Sequence, residues 1–169
     1  TLYNYYNYSY IAEKIISSLI KSQKCDGRFN YQWGYWKQTA AALATFGHHV
    51  TMNNDSALAT EILPNVISAS DWIKRTVLKW DRFGLIRMGN NKDGPFLAGH
   101  YTGDNFWALI GLNGAINVSK IAGNNAVADE LQRFFDAYRS HFFKQLRNAS
   151  LRNNGIIPPG MDVTGGDHW

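Results

Sequence analysis

The sequence predicts an all-α chain in which amphipathic and wholly apolar helices alternate, laid out as a two-layer α/α shell of helical hairpins. Three observations predict it. Apolar residues recur at helical spacing along the 169 residues, and no segment shows strand alternation. Two of the helical segments are apolar on nearly every side. The joints between segments also resemble one another.

The first helix is predicted over residues 9–23. Ile11, Ile15, Ile16, Leu19 and Ile20 form its apolar stripe, with Glu13, Lys14 and Lys21 opposite. Cys25-Asp26-Gly27 ends it. The second is expected over 35–46, stopped by Gly47, with Lys37 its only charge among Trp36, the alanines 40–42, Leu43, Ala44 and Phe46. A helix apolar all round is expected to be buried all round. A polar turn at 53–56 leads into an amphipathic helix to about residue 80, where Pro64 is expected to kink or divide it. A long loop over 81–103 follows, with five glycines and Pro95. The next helix, 104–122, is again apolar, with Lys120 its interior charge. Gly123 ends it, and an amphipathic helix over 125–147 carries Leu131, Phe134, Phe135, Tyr138 and Phe142 on one face.

The order is amphipathic, apolar, amphipathic, apolar, amphipathic. Inner helices touching protein on all sides and outer helices touching water on one would produce it. A repeat underlies this order. Gly27-Arg28-Phe29 leads to Trp33-Gly34-Tyr35-Trp36. Gly84-Leu85-Ile86 leads to Gly103-Asp104-Asn105-Phe106-Trp107, and Gly155-Ile156-Ile157 to Gly165-Gly166-Asp167-His168-Trp169. Trp36, Trp107 and Trp169 stand 71 and 62 residues apart, the length of two helices and a loop. If the inner helices are parallel, their N-termini and the variable loops gather at one rim, where a rigid scaffold would hold a binding site.

Hydrophobic residues at 45% and charged residues at 18% exclude a disordered chain. The net charge of +4 is scattered without a Lys/Arg run, so no nucleic-acid partner is expected. No stretch reaches the roughly 18 apolar residues of a membrane span. Cys25 is the only cysteine, which excludes an internal disulfide and a cysteine metal cluster. His48 and His49 are adjacent and cannot both face one site on a helix, so no metal set is expected, and no phosphate loop or dinucleotide fingerprint calls for a cofactor.

The stretch from Gly103 to Leu112, Gly-Asp-Asn-Phe-Trp-Ala-Leu-Ile-Gly-Leu, resembles the inner-helix starts of the six-hairpin glycosidase superfamily. So does the helix with Phe134, Tyr138 and Phe142, closed by Gly155-Ile156-Ile157-Pro158-Pro159. The resemblance covers nearly the whole chain and implies about two and a half hairpins of an (α/α)6 barrel, one partial domain over 1–169 with inner helices starting near 35, 104 and 167. The chain is then expected to be a piece of a longer polypeptide whose remaining hairpins close the barrel. No motif selects one family within the superfamily.

What the resemblance implies for function is hydrolysis of an oligo- or polysaccharide by paired carboxylates, with inversion and without a cofactor. A secreted or periplasmic setting suits that substrate, and N-x-S sequons begin at Asn7, Asn54, Asn117 and Asn148. Asp104 and Asp167 hold matching places at two inner-helix starts and are the candidate acids, with Asp93 in the Gly-rich loop a third. Asp is also a favoured helix N-cap, which would give both a purely structural duty. Trp33, Trp36, Trp107 and Trp169 are candidates to stack on sugar rings, and each could equally fill a core. His100, Tyr101, Asn105 and His168 are candidates to bind hydroxyls, and Arg87 to bind a uronate carboxylate. Competing expectations are a polysaccharide lyase or sugar epimerase on a related barrel, for which His100-Tyr101 supplies base types, and a non-enzymatic helical-repeat scaffold. The run 23–29 loosely resembles the Q-x-x-D-G-x-W repeats of terpene cyclases, but the other joints lack the Gln.

Overall fold

The computed structural model describes residues 9–29, 34–79, 83–90 and 98–162. These residues are all-helical apart from a minimal hairpin. The order is α1 (Ser9–Lys21), α2 (Lys37–Asn53), α3 (Ser56–Lys79), β1 (Gly89–Asn90), β2 (Ala98–Gly99), α4 (Thr102–Ile121) and α5 (Asn125–Arg152). β1 and β2 pair antiparallel, Gly89 opposite Gly99, inside the loop expected to lack structure.

Short links force neighbouring helices to fold back on each other. Asn54 ends α2 in a left-handed conformation at φ 48°, and Asp55 caps α3 by accepting from Leu58 N at 2.9 Å. Asn124 caps α5 in the same way, accepting from Val127 N at 3.1 Å. Two helical hairpins result, α2/α3 and α4/α5. α2 and α4 lie against each other through small residues. A Cβ added to Gly111 would meet the Ala40 backbone at 2.5 Å, and one on Gly114 the Leu43 carbonyl oxygen at 2.4 Å. Because 40 meets 111 and 43 meets 114, the two helices run parallel.

Gly47 does not stop α2 as expected. It lies inside the helix, where a Cβ would stand 2.3 Å from Gly114 Cα, so the glycine serves close approach of two backbones. Nor does Pro64 divide α3, which runs unbroken for 24 residues. The carbonyl that Pro64 leaves without its N–H belongs to Thr60, an exposed residue on the side of the helix open to solvent. α5 also runs longer than expected, to Arg152.

The core joins Ile16, Phe29 and Trp36 to Leu43 and Phe46 of α2, Ile62, Val66, Trp72 and Ile73 of α3, Leu112 and Ile116 of α4, and Phe142 of α5. The apolar helices are not buried all round, however. Thr51 and Met52 of α2, and Phe106, Trp107, Ile110 and Asn113 of α4, are exposed. Each helix keeps one open stripe beside the stripe that packs.

The first two joints share one geometry in three dimensions, and the third shares its glycine conformation. Gly27, Gly84 and Gly155 all take positive φ, at 94°, 65° and 83°. At the first two, the apolar residue two positions after the glycine is buried and its N–H is held by a buried polar side chain in the first turn of the following helix. Thr39 Oγ1 accepts from Phe29 N at 3.1 Å, and Asn105 Oδ1 accepts from Ile86 N at 3.0 Å. At the third joint Ile156 and Ile157 stand exposed.

Candidate functional site

The N-terminal ends of α2 and α4 lie side by side, and the segment 87–89 crosses beside them. Trp36 Nε1 donates to the Met88 carbonyl at 2.9 Å, fixing that crossing. The closeness explains the glycine at 89. A Cβ there would stand 2.7 Å from the Gly34 carbonyl oxygen, 3.2 Å from Trp36 Cδ1 and 3.4 Å from Asp104 Oδ2. The Arg87 guanidinium lies over the Trp36 ring, 4.6 Å from its centroid.

Asp104 belongs to this cluster. It is the third residue of α4, and the cap position is held by Tyr101, so Asp104 is not the N-cap that its residue type allows. Its side chain is buried, and among the described residues no hydrogen bond reaches its carboxyl. Burial pushes that carboxyl up to about 6, against the Lys37 ammonium, which pulls it down. The group is therefore an acid that keeps its proton well above the usual carboxylate range.

Asn105, the next residue, has no surface to offer a ligand, being wholly buried. Besides Ile86 N, its Oδ1 accepts from the Tyr138 hydroxyl at 2.6 Å, and its Nδ2 donates to the Tyr101 carbonyl at 2.7 Å. It ties α4, α5 and the second joint together. Trp36 is likewise buried at 1% exposure, packed 5.9 Å from Trp72, so it supports the cluster from below instead of presenting a stacking face.

His100 is buried as well. Asp162 grips it twice: Oδ2 lies 2.7 Å from Nδ1, and Oδ1 accepts from the His100 backbone N–H at 2.8 Å. Burial raises the Asp162 carboxyl, but these bonds from His100 outweigh it and hold the group below its ordinary value. The same strip is fastened by Thr102 N to the Pro159 carbonyl at 2.8 Å, Thr102 Oγ1 to the Pro158 carbonyl at 2.7 Å, and a bridge between Tyr101 and Gly160. The chain after α5 thus returns to the start of α4. Tyr101 is half-buried in that return.

Trp107 lies one turn beyond Asp104, roughly 60° round the helix. It is 39% exposed and lines a groove of about 390 Å³ between α2 and α4, with Thr45, His48, Ile110, Asn113 and Asn117 among its walls. Among the described residues, no Asp, Glu, Lys or Arg lines this groove. The structure thus brings Asp104, Trp36, Arg87 and Lys37 together at the helix ends and places Trp107 on the open stripe below. Asp167, His168, Trp169, Asp93 and Trp33 lie outside the described residues.

Two features escape sequence reasoning. Asp162 binds His100 across 62 residues, and no local pattern announces such a pair. Glu13, His49 and Asp55 converge from three elements, with ligand atoms all within 4.8 Å of one another. The clue in the sequence is a pair of adjacent imidazoles, His48 and His49, on an apolar helix. No protein-family model, no curated protein and no solved structure matches this chain.

Proposed function

We propose that this chain forms the acid-bearing rim of an α/α toroid that hydrolyses glycosidic bonds, with Asp104 as the proton donor. The observation that carries the reading is the Asp104 carboxyl, buried at the start of α4 and raised to about 6. Glycoside cleavage needs a carboxyl that stays protonated near neutral pH, close to surfaces that seat a sugar. Trp107 and the uncharged groove below Asp104 offer such a surface: an indole face for the C–H side of a pyranose, with hydroxyl, imidazole and amide groups around it. The parallel α2 and α4, each backed by its hairpin partner, supply the inner and outer layers a toroid needs. Asp167, the matching residue of the third joint, is the proposed second carboxyl, activating water for an inverting displacement.

The test is a screen of neutral oligo- and polysaccharides for release of reducing ends, with product configuration read by NMR. Turnover is expected to fall as pH rises through about 6, where Asp104 loses its proton. Asp104→Asn should abolish it, and Trp107→Ala should raise KM while leaving the fold intact. Turnover unchanged in Asp104→Asn would overturn the assignment.

One observation favours a second reading. Asp162 orients the His100 imidazole beside Tyr101, and His and Tyr act as bases in polysaccharide lyases and sugar epimerases on related barrels. A lyase would release unsaturated products that absorb in the near ultraviolet.

A further inference from the structure

At the far end of α2 from Asp104, an imidazole and two carboxylates meet. His49 is about 18 Å along the helix from Lys37, at 1.5 Å per residue. Glu13 reaches it from α1, and Asp55 from the turn between α2 and α3. His49 is buried at 1% exposure, whereas Glu13 and Asp55 are half-buried, so solvent reaches the cluster from the carboxylate side. The Asn53 amide nitrogen stands 3.4 Å from His49 Nδ1 and donates to the His49 carbonyl at 2.8 Å, while the amide oxygen accepts from Ser9 Oγ at 2.9 Å. Asp55 spends only Oδ1 on capping Leu58 N.

We propose that Glu13, His49 and Asp55 form a binding site for a divalent metal of the zinc class, separate from the Asp104 cluster. The donor set decides the class. One imidazole nitrogen with two carboxylate oxygens suits zinc, whereas magnesium and calcium prefer oxygen alone. Two carboxylates and a neutral imidazole also balance a +2 ion. Metal bonds of about 2.0–2.2 Å place tetrahedral ligands roughly 3.4 Å apart. The ligand atoms, all within 4.8 Å of one another, stand close to that spacing, and water would supply the remaining position.

The site has a structural consequence. α1 buries only Ala12 and Ile16, a thin apolar hold on the rest of the chain. A metal bridging Glu13 to His49 and Asp55 would fasten α1 to the α2/α3 turn.

The experiment uses untagged protein, stripped with chelator and titrated calorimetrically with zinc chloride at pH 7.5, with thermal unfolding followed in parallel. One zinc per chain and a rise in Tm with zinc concentration are expected. Glu13→Gln and Asp55→Asn should each weaken binding at least tenfold; the Asn keeps the cap on Leu58, so loss there cannot be blamed on a broken turn. His48→Gln, altering the adjacent imidazole on the groove side, should bind as the parent does. Absence of saturable binding in the parent overturns the proposal. So does binding that survives both carboxylate substitutions, which would mark adventitious zinc on surface histidines.

Discussion

Replacing Asp104 by Asn should stabilise the protein near neutral pH, and the size of the gain follows from the burial of the carboxyl. The folded chain holds the Asp104 proton up to about 6, against 3.8 for the solvated group. Below 3.8 both folded and unfolded forms carry the proton, and Asn, its neutral isostere, should match it. Between 3.8 and about 6 the unfolded chain gives up the proton first, so the parent loses stability as pH rises. At about 1.4 kcal/mol per pH unit, the full interval is worth about 3 kcal/mol. The α4 N-terminus favours the anion by ~0.3–1 kcal/mol, which leaves an expected gain of roughly 2–3 kcal/mol for Asn above pH 7. The assay is guanidinium unfolding of parent and variant at pH 4 and pH 7.5, taking the difference at each pH so that other titrating groups cancel. A difference independent of pH, or a variant less stable than the parent at pH 7.5, would refute the reasoning. The carboxyl would then ionise as a solvated group and could not keep a proton for catalysis.

Asn105→Ala should cost on the order of 3 kcal/mol in the same assay, because Ile86 N–H and the Tyr138 hydroxyl lose their buried acceptor, while Tyr138→Phe should cost about 1 kcal/mol. Gly114→Ala should lower the unfolding free energy by roughly 1–3 kcal/mol despite the better helix propensity of Ala, since the new methyl would stand 2.4 Å from the Leu43 carbonyl oxygen. Asp162→Asn should open the strip at 158–162 to proteases at neutral pH. In the parent, Asp162 stabilises the fold above 3.8, and this contribution is lost as pH falls through its lowered folded value, so parent and variant should converge in acid.

The alternation of helix types was legible because it depends only on which residues can face water. The glycines of the joints were legible because Gly27, Gly84 and Gly155 answer a backbone demand, a positive φ, that few other residues meet. Helix ends were not legible where tertiary contact overrides local preference. Gly47 reads as a stop and Pro64 as a break, yet Gly114 needs the one and the exposed Thr60 carbonyl tolerates the other. The open stripes on α2 and α4 were misread for a similar reason. Ala41, Ala44, Trp107 and Ile110 look like core residues, and only the packing through Gly47, Gly111 and Gly114 shows which side of each helix is spent.

Asp104 and Asn105 show why the chemistry was harder to read than the fold. They are adjacent, both polar, both buried, and both suit the start of a helix. The helical turn of about 100° between them aims Asn105 at Ile86 N and Tyr138, and Asp104 at Gly89 and Trp36. One side chain finds its polar partners inside the protein and becomes a strut. The other finds none among the described residues and is left with a proton that burial makes costly to remove. Residue type cannot separate those outcomes, because the difference lies in what the two neighbouring loops bring to each side of α4. A buried acid with no partner among the described residues weakens the fold at neutral pH, a cost that an Asn in its place would not carry.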